Sequence, residues 1–528
     1  MPPTQRRSPW TARSALRALV GRYCVLFVLT LAALWVSTIP AVAQDARTLR
    51  SMQAQQKQYL ELRGKLERDL EELAEECEQR DIEGAAEIVR SRIARPDNSE
   101  LRLRRLPRAV QAELPADLPA DERYWQTQLR RINATYARQL YLLARQAISS
   151  GNIGMAWQLV HETAEYDSDH APARKVLGFV RQGDEWVSPF EAQMLRQQRV
   201  WHDSYGWLPR DHVDRYKRGE RRFAGNWMSA TKEAELRQDF SKGWDVRTDH
   251  FRVRTNHSLE RGAEIARKLE DFHALFFQVL AGFFTTREQA RQLIEGATKA
   301  PQPPEPFDVF YFRSRAEYVA YLKTKTDQKV EITNGMYFPS TGVAYFFDAP
   351  EAVDSDATLY HEATHQILSG ARPKAEQIGT MGNFWLVEGI ACYMESFRRE
   401  TVDEEIRFSV GRPDHKRLVA ARVNLLEDGY FLPLDEISAL GMNDFQQHPQ
   451  IRKNYSQSAA LTHFFLHYDS GRYREALVEH LSNLYSNSPK RPPRLAELVG
   501  VPAVDLDRQY RDYMAHLGVD PMPDSAGE

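Results

Sequence analysis

Residues 358–368 read TLYHEATHQIL and place two histidines four positions apart, with an acidic residue directly after the first histidine. On an α-helix, residues four apart lie on the same face, so His361 and His365 can offer two imidazole nitrogens to one metal ion. Glu362 borders the same cleft, where a carboxylate can accept a proton from a metal-bound water. The pattern predicts a zinc hydrolase helix. The alternative is an ordinary buried helix whose histidines bond backbone carbonyls.

A third ligand is predicted on the next apolar helix. Residues 383–394, NFWLVEGIACYM, form a strongly apolar segment interrupted by one carboxylate, Glu388. An unpaired buried glutamate is energetically costly, and binding a cation offsets that cost. We therefore predict that Glu388 completes a Zn²⁺ site with the two histidines. The alternative is an ion pair between Glu388 and an arginine such as Arg398 or Arg399.

The hydrophobic pattern ahead of the motif is that of a small α/β unit. Alternation of apolar and polar residues predicts strands, and wider apolar faces predict helices. The predicted elements are strands 251–255 and 309–312, a hairpin over 335–347, and helices 259–284 and 316–323. We predict a small α/β subdomain over residues 244–350, zinc-binding helices and a helical lobe over 351–520, and a tail over 521–528. The predicted fold class is α+β and mostly helical.

The first part of the chain is predicted to be helical. Apolar residues from Leu49 to Cys77 recur by threes, fours and a seven, which is typical of a long amphipathic helix. We predict a helical hairpin over residues 44–121; the alternative is a dimerising coiled coil, through which these helices bind a protein partner. Residues 122–182 are predicted to form a tetratricopeptide-like helical pair, because small residues such as Gly151 stand where such helices approach closely.

A repeated motif occupies residues 183–243. Trp186, Trp207 and Trp227 recur at intervals of 21 and 20 residues. Each is followed by a helix-start signal and a short charged helix. We favour tryptophans that pack in the core of a small repeated module; a surface that stacks on sugars is the other interpretation.

The N-terminal leader indicates export. Residues 1–43 contain five arginines and no acidic residue, an apolar run that starts at Cys24, and a small-x-small sequence that ends at Ala43. These features are typical of a secretory signal peptide, and we predict a periplasmic, cell-envelope or extracellular protein. If the segment is not cleaved, it is long enough to anchor the chain in a membrane.

Composition narrows the functional classes. The chain has 528 residues, of which 42% are hydrophobic and 27% charged, as in folded proteins of several domains. Removing the leader shifts the formal net charge from −3 to −8, and no long basic run remains, so no nucleic-acid binding is expected. Cys77 and Cys392 are then the only cysteines, which allows at most one disulfide.

The zinc-binding segments resemble those of the gluzincin metallopeptidases, in which two helical histidines and a glutamate from the next helix hold the metal. The region from Trp186 to Tyr513 is also similar to a bacterial family of secreted, largely uncharacterised gluzincins. The likeness is carried by WVSP at 186–189, TLYHEATH at 358–365, WLVEGIA at 385–391 and YSQS at 455–458. The resemblance implies a short sheet whose edge strand borders the cleft, then two zinc helices, then a helical lobe.

The resemblance also implies a residue that stabilises the oxyanion. Gluzincins commonly use a tyrosine or histidine of the helical lobe for this purpose. Tyr455, which opens a predicted helix over 456–467, lies at a spacing from Glu388 similar to that in the aminopeptidase branch. Tyr393 and His463 are the alternatives, and Tyr455 as a packing aromatic is the structural interpretation.

The chain departs from the better-known gluzincins in two places. Cys392 replaces the carboxylate that orients a zinc histidine in thermolysin-like enzymes, so we expect Glu395 or Asp356 to supply that contact. The segment GMYF at 335–338 lacks the glutamate with which aminopeptidases hold a free α-amine. That absence favours cleavage inside a peptide over trimming of its N-terminus.

The sequence predicts a secreted zinc endopeptidase acting on peptides or proteins, in which Glu362 activates water and Tyr455 supports the oxyanion. The alternative is a noncatalytic envelope scaffold or binding protein with a relic zinc domain. The intact Glu362 favours the enzyme, because a structural zinc site needs no base. A third hypothesis is that the tryptophan repeats bind envelope sugar and bring the peptidase to peptidoglycan peptides.

Overall fold

The computed structural model describes residues 39–93, 100–296, 305–326, 329–350, 355–373, 375–402, 404–486 and 493–518. The predicted signal peptide, apart from its last five residues, and the predicted tail over 521–528 lie outside the described residues. The fold class is α+β and mostly helical, which confirms that prediction. No helix in the described ranges is both long and apolar enough to cross a lipid bilayer.

The chain divides into two compact units at Leu60, and the strands found in the described residues all belong to the unit from Glu61 onward. The first two helices are α1 (Ile39–Gln79) and α2 (Ala85–Ser91). Helix α2 folds back on the second half of α1, where the Arg90 Nε donates a hydrogen bond to Glu71 at 2.8 Å. Helix α1 contains the whole apolar repeat from Leu49 to Cys77, which confirms the long helix predicted from the apolar spacing.

A second helical segment follows, with α3 (Ala120–Ser150), α4 (Ile153–Tyr166) and α5 (Ala171–Val176). Helix α3 ends at Gly151, which has a φ of +86° and lets the chain reverse without strain. The Asn152 side chain then caps α4 by accepting a hydrogen bond from the Met155 N–H. Helices α3 and α4 pack against each other along fully buried alanines at 147 and 156.

Each tryptophan repeat is a β-hairpin followed by a short helix. The repeats consist of β2 (Val180–Gln182), β3 (Glu185–Val187) and α6 (Pro189–Arg196); β4 (Arg199–His202), β5 (Gly206–Pro209) and α7 (Val213–Lys217); and β6 (Glu220–Phe223), β7 (Asn226–Ser229) and α8 (Ala230–Leu236). The sequence analysis predicts the helices but misses the hairpins. The repeated tryptophan always lies in the second strand of its hairpin.

The tryptophans of the second and third repeats, Trp207 and Trp227, pack on the helix of the preceding repeat. The ring of Trp207 meets Phe190 of α6 edge-on at a centroid distance of 6.3 Å, and Trp227 meets Tyr216 of α7 at 6.1 Å. The Arg215 guanidinium also lies 3.7 Å from the centre of the Trp227 ring. These contacts between successive repeats favour the packing interpretation of the tryptophans.

The α/β region forms a five-stranded sheet with the order β11-β12-β10-β9-β8. Its strands are β8 (Trp244–Arg247), β9 (Phe251–Thr255), β10 (Phe307–Phe312), β11 (Gly335–Phe338) and β12 (Val343–Phe347). Its helices are α9 (Leu259–Val279), α10 (Ala281–Phe284), α11 (Arg287–Ile294) and α12 (Arg315–Leu322). Strand β10 runs parallel to β9 and β12, while β11 pairs antiparallel with β12 at the edge of the sheet.

The helical lobe follows the sheet and packs around one apolar helix. Its helices are α13 (Ser355–Ala371), α14 (Phe384–Met394), α15 (Lys416–Leu426), α16 (Leu434–Ala439), α17 (Met442–Gln446), α18 (Ile451–Gly471), α19 (Arg474–Leu484), α20 (Leu495–Val499) and α21 (Ala503–His516). Every residue of α14 is buried. This helix packs on α13 on one side and on α18 on the other, which brings its single glutamate into the interior.

A second sheet was not predicted from the sequence. Strands β1 (Leu101–Arg104), β13 (Arg398–Val402) and β14 (Glu405–Val410) form an antiparallel sheet with the order β1-β14-β13. The sequence analysis treats residues 44–121 as helical and 351–520 as helices alone, so it misses pairing across about three hundred residues. Asp271, a buried residue of α9, links this sheet to that helix. It accepts hydrogen bonds from Arg105, directly after β1, and from Arg399 of β13.

Candidate metal centre

Two neighbouring helices bring the predicted ligands together. Helix α13 carries His361 and His365, whose Nε2 atoms lie 3.2 Å apart. Helix α14 carries Glu388, whose Oε2 lies 3.5 Å from the Nε2 of His361 and 3.8 Å from that of His365. The three ligand atoms therefore enclose a single point between the helices.

The size and chemistry of this triangle fit a zinc ion. Zinc bonds to imidazole nitrogen and carboxylate oxygen at about 2.0–2.2 Å in tetrahedral geometry, so ligand atoms around it are about 3.3–3.5 Å apart. The three observed separations, 3.2, 3.5 and 3.8 Å, lie close to that value. Two imidazoles and one carboxylate would leave the fourth position for water or substrate.

Within the described residues, Glu388 has no arginine ion-pair partner of the kind that the alternative interpretation requires. It is 8% exposed, and its ion pairs within 4 Å in the described part of the chain are with the two histidines. Arg399 instead binds Asp271 at 2.9 Å, and Arg398 lies 3.8 Å from Glu400. The geometry therefore favours a cation between Glu388 and the histidines.

The electrostatics of the site also favour a positive charge there. Burial would raise the pKa of Glu388, but the neighbouring His365 and His361 lower it, so the carboxylate is ionised. Burial opposes a charge on both imidazoles and lowers the pKa of His365. The pKa of His361 is nevertheless raised well above its usual value by hydrogen bonds with Cys392 and two carboxylates. A bound divalent cation can provide the charge that these groups stabilise.

A buried carboxylate orients His361. The His361 Nδ1 donates to the Glu395 Oε1 at 3.0 Å, which leaves the Nε2 lone pair directed at the site. Arg417 of α15 donates to both oxygens of Glu395, at 3.0 and 2.7 Å. Burial would raise the pKa of Glu395, but these bonds lower it to about 2. Of the two predicted candidates, Glu395 makes this contact, whereas Asp356 binds Lys268 at 2.9 Å.

Cys392 lies on the same side of His361 as Glu395. The two cysteines of the described chain, Cys77 and Cys392, are both buried and free, so they form no disulfide. Burial raises the pKa of Cys392, which keeps the thiol neutral. His361, Cys392 and Glu395 also place one potential ligand atom each within 4.8 Å of one another. Because Arg417 already binds both oxygens of Glu395, a metal there would have to displace the guanidinium.

The predicted base is held by the edge strand of the main sheet. The Tyr337 N–H of β11 donates to the Glu362 Oε2 at 2.8 Å, and the Glu362 side chain is half-buried beside the ligands. Strand β11 approaches α13 closely at Gly335, where an added Cβ would lie 2.8 Å from the Thr358 Cγ2. The edge strand therefore borders the site, as the resemblance implies.

Tyr455 lies near the ligands, but not at a helix start. Helix α18 begins at Ile451, so the tyrosine sits one turn inside it, and its ring packs edge-on against Phe445 at 5.3 Å. Burial, followed by the negative charge of Glu388, raises the pKa of Tyr455. No group in the described ranges hydrogen-bonds its hydroxyl, which leaves that hydroxyl open to a ligand.

The two alternatives to Tyr455 are engaged in the core. The Tyr393 hydroxyl bonds the His467 Nε2 at 2.9 Å, and the His463 Nε2 donates to the Gly411 carbonyl at 2.7 Å. Both residues are buried. Sequence reasoning missed Arg417 entirely, because no local pattern marks an arginine whose role depends on how α15 packs.

No protein-family model matches this chain, and no curated protein is significantly similar to it in sequence. The gluzincin interpretation therefore depends on the motifs and on the geometry of the metal centre.

Proposed function

We propose that this protein is a zinc-dependent peptidase that cleaves internal peptide bonds. The convergence of His361, His365 and Glu388 on one point, with separations of 3.2–3.8 Å, carries the proposal. Glu362 beside that point supplies the base that a purely structural zinc site does not need.

Each side chain of the site has a distinct task in hydrolysis. Zinc, when bound, would polarise the scissile carbonyl and acidify its water. Glu362, held by the Tyr337 N–H, accepts the proton of the attacking water and passes it to the leaving amine. The Tyr455 hydroxyl donates a hydrogen bond to the tetrahedral oxyanion. Glu395 keeps the proton of His361 on Nδ1, so that Nε2 remains a ligand.

The edge strand supports a peptide substrate. Strand β11 has no strand partner on its outer side within the described residues, so an extended peptide can pair with it. Its residues Gly335–Phe338 include no acid that would hold a free α-amine. An extended chain bound along this edge is therefore cleaved internally. We further propose that the leader over residues 1–43 exports the enzyme, so that its substrates are envelope or extracellular polypeptides.

The decisive experiment separates metal binding from hydrolysis. We expect the purified chain to hold about one zinc and to cleave members of a random peptide library. Glu362→Gln should retain the zinc and lose at least about 100-fold in rate, because general base catalysis contributes that much. Glu400→Gln, an exposed acid on β13, is the matched control and should cleave normally.

Equal cleavage by the native chain and Glu362→Gln would refute the proposal. If neither cleaves any peptide, the noncatalytic scaffold becomes the better account. The library also reports the side chains preferred on either side of the cleaved bond.

A further inference from the structure

A second tyrosine of the helical lobe lies near the predicted ligands, and the sequence analysis does not single it out. Tyr485 directly follows α19, and its ring packs edge-on against Phe283 of α10 at a centroid distance of 5.5 Å. The residue is only 3% exposed. The surrounding core therefore fixes the ring, and with it the position of the hydroxyl group.

Contacts on two sides place Tyr485 where the two ligand-bearing helices meet. The carbonyl of Phe283 accepts a hydrogen bond at 2.8 Å from Arg372, which directly follows α13. On the other side, the Nε2 of His480 in α19 lies 3.3 Å from the Oδ1 of Asn383, which directly precedes α14. Tyr485 therefore lies between the end of α13 and the start of α14, within about two helical turns of the ligands that each helix carries.

The electrostatic environment shows which side of the ligands Tyr485 occupies. Burial raises its pKa, and so do the negative charge of Glu388 and the neighbouring Tyr337 of the edge strand. Glu388 also raises the pKa of Tyr455, but there His361 is among the groups that act on the hydroxyl. The two tyrosines thus flank Glu388, with Tyr455 towards His361 and Tyr485 towards β11.

The Tyr485 hydroxyl is available to a ligand. It makes no hydrogen bond with any group in the described ranges, although a buried phenol is expected to have a partner. Because its pKa is raised, the phenol stays protonated and is a neutral hydrogen-bond donor. The ligand that satisfies it must therefore offer an acceptor oxygen next to Glu388.

We propose that Tyr485 binds the main chain of the substrate, with its hydroxyl donating a hydrogen bond to a peptide carbonyl oxygen next to the bond that is cleaved. A peptide that pairs with β11 and reaches the ligands passes between Tyr337 and Glu388, where this hydroxyl lies. Every residue of a peptide offers a carbonyl oxygen, so the contact does not depend on the side chains of the substrate. The inference rests on the proposed peptidase function and adds a substrate-binding residue to it.

The two tyrosines are then expected to act at different stages of the reaction. Tyr455 donates to an oxyanion that exists only in the transition state, so its loss should lower kcat. Tyr485 donates to a carbonyl that does not react, and this bond is as strong in the bound substrate as in the transition state. Its loss should therefore raise KM and leave kcat unchanged.

The test compares kcat, KM and bound zinc between the native chain and Tyr485→Phe, with one peptide that the native chain cleaves. The substitution removes only the hydroxyl and keeps the ring against Phe283, so the fold should be retained. We expect KM to rise about 3–10-fold, which corresponds to the loss of one hydrogen bond, with kcat and zinc unchanged.

Tyr473→Phe is the matched control. Tyr473 directly precedes α19, is 2% exposed, and its hydroxyl bonds the Oε1 of Gln509 at 2.8 Å. This variant also removes one buried hydroxyl beside the same helix, so it should change neither KM nor zinc content.

A binding measurement makes the result independent of turnover. A chain with Glu362→Gln should bind the same peptide, carrying a fluorescent label, without cleaving it. Adding Tyr485→Phe to this chain should weaken the binding by the same factor of about 3–10 in fluorescence anisotropy. Adding Tyr473→Phe should leave the affinity as it was.

Three results would overturn the inference. Unchanged KM and unchanged peptide affinity in Tyr485→Phe show that the hydroxyl does not touch the substrate. Loss of zinc shows that it acts on Glu388 instead, and a lower kcat at constant KM shows that it acts on the oxyanion. In each of these cases the native chain still cleaves peptides. If the native chain neither binds nor cleaves any peptide, the proposed function is wrong and this inference with it.

Discussion

Two clusters in this molecule contain the same groups, two histidines and two carboxylates, yet only one forms a candidate metal centre. The first joins His361, His365, Glu388 and Glu395. The second, called here the His250 cluster, joins Asp249, His250, Glu270 and His273 at the junction between the tryptophan repeats and the main sheet.

The two clusters differ in the direction of their ring nitrogens. The rings of His361 and His365 are inclined at 74°, with their Nε2 atoms 3.2 Å apart. The rings of His250 and His273 instead stack at 18° with centroids 3.8 Å apart. Stacked rings point their nitrogens outward in parallel planes. In the described ranges, three ligand atoms converge within 4.8 Å in the first cluster but not in the second.

The charges of the two clusters are alike, and this similarity is instructive. Burial opposes the charge on His250, but Glu270, at 2.8 Å from its Nδ1, raises the pKa of His250. Burial lowers the pKa of His273 to about 3. In the metal centre, too, the pKa of one histidine, His361, is raised and the pKa of the other, His365, is lowered. A perturbed pair of histidines therefore does not identify a metal site; the convergence of the free nitrogen atoms does.

The largest expected effect is loss of metal on removal of the third ligand. Glu388→Ala should weaken zinc binding by more than about 100-fold, since even residues behind the ligands contribute 10–100-fold. Glu270→Ala, in the His250 cluster, should leave zinc binding unchanged. Equilibrium dialysis with elemental analysis measures both. Equal zinc affinity of the native chain and Glu388→Ala would remove the distinction between the clusters.

A smaller effect is expected behind the ligands. Glu395→Gln should weaken zinc binding by about 10–100-fold, because His361 loses the acceptor that orients it. Asp356→Asn is the matched control, since Asp356 binds Lys268 instead and should not affect zinc. The assignment of Glu395 is wrong if the control loses zinc and Glu395→Gln does not.

The smallest effect is a titration in the His250 cluster. NMR should show His250 titrating above pH 6.5 and His273 remaining neutral down to about pH 3. Because the folded pKa of His250 exceeds its unfolded value, this histidine stabilises the fold below pH 6.5, and that contribution is lost as pH rises through the folded pKa.

A matched variant checks the cause of that shift. Glu270→Gln should lower the pKa of His250 relative to the native chain, because Asp249 is then the remaining carboxylate that opposes the effect of burial. A native His250 that titrates below 6.5 would contradict the pairing seen here.

Part of this structure could be read directly from local spacing. The distance between His361 and His365 follows from the helical repeat alone. The strand over residues 251–255 was predicted with its observed bounds. Its apolar residues alternate with polar ones, so an extended strand places them all on one buried face. Glu388 was found from its burial, since an apolar helix with one acid must pair that acid.

Other features had no local signal. The hairpins of the tryptophan repeats are only three or four residues per strand, which is too short for periodicity to distinguish them from loops. Strand β1 pairs with β14 across about three hundred residues, and its sequence LRLR buries only Leu103. Such pairing depends on where the rest of the chain has folded.

The sequence by itself determined the two imidazoles on one helical face and the need of a buried acid for a cation, because helix geometry and the cost of burying charge act locally. Tertiary structure alone decided that Glu395, not Asp356, orients His361, and that Arg417 secures it. It also decided which of two similar histidine clusters converges on one point. These outcomes depend on the angles at which distant helices pack, and no short stretch of sequence encodes those angles.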